Sequence, residues 1–140
     1  MSGKPPVLFI HGLWLHPTSW EPWIEYVGEK GYSATAPGWP GDPATVEEAR
    51  ANPEAVAGHG IDDVVAHYAE VIAAMPEKPV LVGHSFGGMI AQRLLGEDRA
   101  LGAVAIDRRR SRACCRCRSR RSGRPCRCSA TRPTGIAPCR

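Results

Sequence analysis

The 140-residue sequence predicts an α/β fold, with a parallel sheet of about four strands joined by crossover helices over residues 1–107. Short apolar runs bounded by Pro or Gly are typical of buried strands, and segments with apolar residues at helical spacing lie between them. The resulting order β-α-β-α-β-α-β favours right-handed crossover connections, which make neighbouring strands parallel.

The first half of this region contains two predicted strands and one helix. The run VLFI at residues 7–10 predicts a buried strand, because Pro and Gly bound it. A helix follows, which Thr18 or Ser19 would cap and Gly31 would end. Its apolar residues recur at i, i+3, i+4 and i+7: Trp20, Trp23, Ile24 and Val27. The segment YSATAPGWPG then predicts a second strand, which its Pro and Gly residues stop.

The second half is predicted to alternate helix and strand twice. Residues 43–60 are polar with a weak pattern, which indicates a loop or a short helical excursion. Asp62 or Asp63 would open a helix that Pro76 ends. Its apolar positions are Val64, Val65, Tyr68, Val71, Ile72 and Met75. The segments PVLVGHS, GMIAQRLL and LGAVAID then predict the third strand, a helix and the fourth strand.

A serine between two glycines marks the turn from the third strand into the next helix. Residues 83–87 read GHSFG, a G-x-S-x-G pattern. A serine in so tight a turn adopts a strained backbone conformation and points its hydroxyl out above the sheet. The flanking glycines are needed because larger side chains would collide with neighbouring backbone. A helix starting near Phe86 directs free N–H groups at this position, where they favour a developing negative charge.

The motifs HGLW at residues 11–14 and GHSFGG at residues 83–88, in this order and spacing, resemble the first half of an α/β-hydrolase. The resemblance is to the small serine esterases and lipase-type hydrolases. It implies that Ser85 is the nucleophile and that the backbone N–H groups of Leu13 and Phe86 form an oxyanion hole. It further implies a small-molecule acyl substrate, such as an ester, thioester or amide, and neither a cofactor nor a metal.

Three further side chains are candidates for the substrate pocket. Trp14, His16 and Trp39 could line an acyl-binding site near the serine. The alternative is that they belong to the core, because aromatic residues at helical spacing more often do.

The other histidines and Asp42 are expected to have structural roles. His11 of the HG pair would hold the oxyanion loop, and His84 would pack beside the nucleophile. In the family stretch that APGWPGD resembles, the residue at Asp42 is usually structural. His59 and His67 are expected to be solvated surface residues.

The general base and its acid are the missing parts of the predicted site. In this fold the triad runs Ser, then Asp or Glu, then His along the chain. All five histidines precede Ser85. Asp107, at the end of the fourth strand, is the candidate acid, and its alternative role is a structural turn residue. Without a base the serine hydroxyl keeps its proton and is a poor nucleophile near neutral pH.

Charge and cysteine divide the chain into two unlike segments. Residues 1–107 contain six basic residues against all 14 acidic ones, whereas residues 108–140 contain 12 arginines and all six cysteines. The net charge of +4 is therefore an average and says little about partners. A cysteine-free body, no recognisable signal peptide and no membrane-length apolar run predict a cytoplasmic protein. No oligomeric state is predicted.

The segment 108–140 has three interpretations. Its arginines could neutralise the phosphates of a nucleic acid. Its cysteines, spaced C-x-x-C at 114–117 and C-x-C at 126–128, could bind a metal, although no histidine or apolar framework accompanies them. The third interpretation is a shifted reading frame, in which this segment was never selected as protein.

The composition favours the shifted frame. If one base is missing near codon 107, each original codon ended with the first two bases of the codon now read. Every Cys codon, which begins TG, then replaces a codon for Leu, Val or Met.

The sequence therefore predicts the N-terminal half of a serine hydrolase, inactive as it stands, with no nucleic-acid partner expected. The runner-up is a non-catalytic α/β domain with an arginine-rich tail that binds nucleic acid or another polyanion.

Overall fold

The structure, a computed structural model, describes residues 3–107 and contains one four-stranded parallel sheet. The strands are β1 (Val7–Ile10), β2 (Ala34–Thr35), β3 (Val80–His84) and β4 (Gly102–Ile106). Their order in space is β2-β1-β3-β4, with β1 and β3 in the centre. The predicted α/β fold with four parallel strands is thereby confirmed. The predictions for residues 108–140 lie outside the described residues.

Four α-helices connect these strands, with two 3-10 turns between them. The helices are α1 (Glu21–Glu29), α2 (Val46–Ala51), α3 (Ile61–Ala73) and α4 (Phe86–Gly96). The 3-10 turns cover Pro17–Trp20 and Pro53–Val56. No helix within residues 3–107 is long and apolar enough to cross a membrane.

Alternate residues of β1 point to opposite faces of the sheet and build two apolar clusters. Leu8 and Ile10 pack in a cluster with the buried residues of α3 and α4. Val7 and Phe9 pack with Trp20 on the other face, against which α1 lies. Because both faces of β1 are covered, this strand reads as an unbroken apolar run.

The start of α1 differs from the prediction that Thr18 or Ser19 caps it. A 3-10 turn occupies Pro17–Trp20, so the helix begins only at Glu21, with Trp20 in the cap position and no side-chain cap. His16 caps the 3-10 turn instead, because its ring accepts a hydrogen bond from the backbone N–H of Thr18. Two prolines in six residues favour this tighter turn before the helix.

The second strand is also shorter than predicted. Only Ala34–Thr35 pairs with β1, because the following residues turn away at Pro37. The weakly patterned stretch 43–60 forms α2 and the second 3-10 turn, consistent with a short helical excursion. Helix α3 then begins at Ile61, where the Asp63 carboxylate accepts the backbone N–H of Gly60.

Candidate active site

Ser85 lies at the turn between β3 and α4 in a backbone conformation that few non-glycine residues adopt. Its φ is 54° and its ψ is −116°. Residues in such sparsely populated regions cost about 1–3 kcal/mol and tend to cluster at functional sites. The Ser85 N–H donates to the carbonyl of Ile106, 2.9 Å away, which ties the turn to the end of β4.

The glycines of the elbow are required by backbone contacts on both sides of Ser85. A Cβ at Gly83 would lie 2.2 Å from the Gly87 carbonyl oxygen. A Cβ at Gly87 would lie 2.2 Å from the Ile10 carbonyl oxygen. These atoms belong to backbone, so no side-chain rotation relieves the contact. The collision predicted for larger side chains is present at both glycines.

The loop after β1 lies directly beside the serine. A Cβ placed at Gly12 would be 3.1 Å from the Cβ of Ser85 and 3.1 Å from the His84 carbonyl oxygen. Two backbone N–H groups near the serine, those of Leu13 in this loop and of Phe86 at the start of α4, have no hydrogen-bond partner within residues 3–107. Phe86 is the first residue of α4, where a helix leaves its N–H groups without internal partners.

His11 is buried behind this loop and bridges two oxygen atoms. It is 3% exposed, and its Nε2 lies 2.9 Å from Oδ2 of Asp42. Its Nδ1 lies 2.9 Å from the carbonyl oxygen of Gly12. The ring of Trp39 stacks on that of His11, with centroids 5.4 Å apart. The predicted role of His11 in holding the loop agrees with these contacts.

Asp42 joins this arrangement through the same oxygen. Its Oδ2 also accepts the backbone N–H of Trp39 at 2.6 Å. Burial alone would raise the pKa of the Asp42 carboxyl, but the bonds from His11 and Trp39, together with the charges of His11 and His16, outweigh it. The net result is a pKa below the ordinary value of 3.8.

Helix α3 fixes the loop that carries Asp42. The Tyr68 hydroxyl donates to the Pro37 carbonyl at 2.8 Å, and Nε2 of His67 lies 3.1 Å from the Gly38 carbonyl oxygen. Burial, and secondarily the negative charge of Asp42, raise the pKa of Tyr68 well above its ordinary value of 10. His67 was expected to be a solvated surface residue; it is instead partly buried and in contact with this loop.

The chain matches a known protein family over most of its length. A family model described as the alpha/beta hydrolase family matches residues 7–134. The chain belongs to the alpha/beta hydrolase family. No curated protein matches it by sequence.

Solved structures of alpha/beta hydrolases share its fold. The monoacylglycerol lipase of Paleococcus ferrophilus is 26% identical, with a TM-score of 0.59 over 73% of this chain and 38% of that one. The thioesterase domain of the curacin biosynthetic pathway is 22% identical, with a TM-score of 0.60 over 77% and 39%. An extracellular alpha/beta-hydrolase from a Paenibacillus species is 21% identical, with a TM-score of 0.59 over 75% and 41%. This chain therefore spans about two fifths of their length.

The three candidate pocket residues of this alpha/beta hydrolase lie in different surroundings. Trp14 is 89% exposed at the tip of the loop after β1, with Leu13 and Leu15 also exposed beside it. His16 is held at both nitrogens, because Nδ1 lies 2.9 Å from Oγ1 of Thr18 and Nε2 lies 3.1 Å from the Pro43 carbonyl oxygen.

Trp39 faces the interior, where its indole N–H has no partner within residues 3–107. His16 and Trp39 thus make contacts within the fold, whereas the Trp14 side chain is largely exposed. A local sequence pattern does not predict these surroundings, because the contacts of His16 with Pro43 and of Trp39 with His11 join residues more than 20 positions apart.

A surface groove contains one of the three candidate pocket residues, His16, in its wall. It has a volume of about 370 Å³, and Ser85 is not part of its wall. Its lining residues are His16, Pro17, Thr18, Glu21, Ile24, Ala36, Gly38, Asp42, Pro43 and Ala44. The groove therefore lies beside the loop that holds Asp42.

The base and the acid are not assembled within residues 3–107. No side chain of these residues hydrogen-bonds to the Ser85 hydroxyl. His84 packs against Gly12, as expected for a neighbour of the nucleophile, and its buried Nδ1 has no partner in the described part of the chain. Asp107 is exposed just after β4 with a φ of 46°, a conformation typical of turn residues.

The described residues offer no metal site. No group of three or more His, Cys, Asp or Glu side chains that could hold a metal ion occurs between residues 3 and 107.

Proposed function

We propose that this alpha/beta hydrolase acts on small acyl substrates, with Ser85 as the nucleophile. The observation that carries the proposal is the strained backbone of Ser85 at the start of α4, with the loop at Gly12 against its Cβ. A hydroxyl held at this point of the sheet is accessible from the side where substrates bind in open parallel sheets.

The proposed reaction is acyl transfer in two steps. Oγ of Ser85 attacks the acyl carbonyl carbon, and the carbonyl oxygen becomes an oxyanion that the N–H groups of Leu13 and Phe86 stabilise. The bond from the acyl carbon to the leaving group then breaks, and the alcohol, thiol or amine takes up the proton that the Ser85 hydroxyl gave up. Water attacks the acyl-serine in the second step, which releases the carboxylic acid and returns a proton to Ser85. Removing one oxyanion donor typically costs about 3–4 kcal/mol of transition-state stabilisation.

The exposed apolar side chains beside the serine suit an apolar acyl group. Leu13, Trp14 and Leu15 are 42%, 89% and 43% exposed on the loop that contacts Ser85. Burying such side chains against a substrate contributes favourable free energy in proportion to the apolar area removed from water. Among the three candidate pocket residues, Trp14 is therefore the one we propose to contact substrate directly.

Fluorophosphonate labelling tests the nucleophile. A fluorescent fluorophosphonate should label the 140-residue protein slowly, because no histidine follows Ser85 to serve as base. Peptide mass mapping should place the label on Ser85, and Ser85→Ala should abolish it. The matched control Ser19→Ala alters an exposed serine in the 3-10 turn and should leave labelling unchanged. Labelling that persists in Ser85→Ala would refute the assignment.

We further propose that residues 108–140 arise from the loss of one base near codon 107. The composition of the segment supports this, since its arginine and cysteine codons convert to codons for apolar and small residues in the alternative frame. Sequencing the coding DNA around codon 107 is the test. An intact frame, with the 140-residue product found by mass spectrometry, would exclude the proposal.

A second candidate function rests on the 12 arginines of the same segment. They would bind nucleic acid or another polyanion through counterion release, which makes binding strongly dependent on salt. Retention on a heparin column that falls with salt and is lost on deleting residues 108–140 would favour this function. No retention would leave the acyl hydrolase as the single candidate.

A further inference from the structure

We infer that Asp42 is a positioning residue that acts through His11 on the oxyanion donor of Leu13. The inference rests on the proposed function, since it concerns the same oxyanion hole. The distances that carry it are 2.9 Å from Asp42 Oδ2 to His11 Nε2 and 2.9 Å from His11 Nδ1 to the Gly12 carbonyl oxygen.

The Gly12 carbonyl and the Leu13 N–H belong to one peptide unit. A peptide unit is planar and trans, so its C=O and N–H bonds point in opposite directions from one rigid plane. Holding the Gly12 oxygen from the buried side therefore sets the direction in which the Leu13 N–H points on the other side. This peptide unit lies beside the serine, because a Cβ at Gly12 would be 3.1 Å from the Ser85 Cβ. A hydrogen bond to the carbonyl also polarises the peptide unit, which strengthens its N–H as a donor.

His11 shares the Gly12 oxygen with one other donor. The backbone N–H of Leu15 also lies 3.2 Å from this oxygen, which closes a tight turn over the loop. The turn fixes the carbonyl from the loop side, and the imidazole fixes it from the core side. Loss of the imidazole contact would leave one weak bond of the turn to hold the plane.

Asp42 provides what the imidazole needs to make this contact. The Asp42 Oδ2 lies 2.9 Å from His11 Nε2, and a hydrogen bond to a carboxylate is stronger than one to a neutral acceptor. This contact fixes the plane of the ring and keeps Nδ1 directed at the Gly12 oxygen. An amide at the same position is neutral and would hold the ring less firmly.

The carboxylate and the loop that carries it are held by further contacts. The Trp39 N–H donates to it, while Tyr68 and His67 anchor the carbonyls of Pro37 and Gly38 in the same loop. The ring of Trp39 covers one face of the His11 ring. Helix α3 thus connects through the loop, Asp42 and His11 to the peptide unit beside Ser85.

The test compares the rate of fluorophosphonate labelling of Ser85 in the full 140-residue chain and in Asp42→Asn. We expect labelling to slow about tenfold or more, because a misdirected donor loses much of its effect on the developing charge. The control Asp98→Asn makes the same chemical change in an exposed pair with Lys78, 2.8 Å away. Its labelling rate should equal that of the unmodified protein.

Two further measurements distinguish positioning from a general loss of structure. Hydrogen exchange followed by mass spectrometry should rise in Asp42→Asn in residues 11–16 and 37–43, and should stay unchanged in β3 and α4. Asp42→Glu, which keeps the carboxylate, should recover part of the labelling rate that Asp42→Asn loses. A purely structural role would change exchange throughout the sheet, and labelling would follow the folded fraction whether or not the carboxylate is kept.

His11→Gln provides a second variant if Asp42→Asn fails to fold. Its amide reaches Asp42 in place of Nε2 but gives no donor to the Gly12 carbonyl, so labelling should again slow about tenfold. Equal labelling rates in the folded variants and the unmodified protein would overturn the inference while Ser85 remains the nucleophile. Absence of Ser85 labelling in the unmodified protein would overturn the proposed function, and the inference with it.

Discussion

Strands β1 and β4 belong to the same sheet and have similar apolar sequences, yet their environments differ sharply. Residues Val7–Ile10 are at most 7% exposed, because β1 has a strand on each side and helices on both faces. In β4, Val104 is 51% exposed and Ile106 is 37% exposed, and Leu101 just before it is 61% exposed. Within residues 3–107, β4 pairs with β3 alone.

The comparison shows that an apolar run specifies a strand, while the neighbours of that strand determine its burial. The same difference in neighbours is found on the two sides of the candidate site. The wall of the site that β1 supplies, with Gly12 and His11, is packed and hydrogen-bonded. On the β4 side, the described contact with the elbow is the bond from the Ser85 N–H to the Ile106 carbonyl.

The largest expected effect comes from emptying the core at β1. Leu8→Ala should lower the free energy of unfolding by about 2–5 kcal/mol, because Leu8 is fully buried and its removal leaves a cavity. Leu101→Ala makes the same change at the exposed position before β4 and should cost less than about 0.5 kcal/mol. Urea unfolding measures both. Equal losses would show that the two strands are equally buried in solution.

A smaller loss is expected where β1 meets the elbow helix. Gly87→Ala should cost about 1–3 kcal/mol, because its Cβ would lie 2.2 Å from the Ile10 carbonyl oxygen. It should also abolish Ser85 labelling by shifting the elbow. Gly96→Ala, at the other end of α4 with no atom within 4 Å, should instead stabilise the protein by about 0.5–1 kcal/mol.

If both variants gained stability alike, helix propensity rather than the backbone contact would govern α4. Circular dichroism during urea unfolding gives the stability of each variant. Fluorophosphonate labelling of Ser85 in each variant without urea shows whether the elbow has shifted.

The free energy of unfolding should depend on pH through Asp42, whose carboxylate contacts His11 just after β1. The pKa of Asp42 is lower in the folded protein than its ordinary value of 3.8, so this group stabilises the fold above that pH. The contribution is lost as the pH falls through 3.8 towards the folded pKa. Asp42→Asn removes the charged acceptor that faces His11 and Trp39, so it should cost about 1.5 kcal/mol at neutral pH. The difference from the unmodified protein should shrink below about pH 4. A difference that stays constant from pH 7 to pH 3 would contradict the role of the carboxylate charge.

The sequence predicts those parts of the molecule that local patterns determine. The buried run at β1, the serine between two glycines and the apolar face of α3 follow from spacing alone, and the structure contains each of them. The predicted start of α1 at a Thr18 or Ser19 cap was wrong. Pro17 and the His16 ring favour a 3-10 turn, which competes with such a cap.

The contacts behind the candidate site were not predictable in this way. His11 and Asp42 are 31 residues apart, and His67 and Gly38 are 29 residues apart. Their meeting depends on how α3 and the loop after β2 pack over β1. A local pattern carries no information on such packing, so His67 was expected in solvent. The HG pair and the stretch APGWPGD were the available signals, and they indicated structural roles for His11 and Asp42 without showing that the two residues meet.

The smallest expected change in stability is at β4, which is an edge strand within residues 3–107 and where the comparison with β1 can be tested most directly. Val104→Lys places a charge at a half-exposed position of the strand and should change the free energy of unfolding by less than about 0.5 kcal/mol. It should reduce self-association, because charged side chains on an edge strand oppose pairing with another chain. Ala66→Lys adds the same charge at an exposed position of α3 and should leave association unchanged. Sedimentation velocity over a concentration series measures both variants. If Ala66→Lys suppressed association as strongly as Val104→Lys, net charge would be the cause, and the exposed face of β4 would have no special part in it.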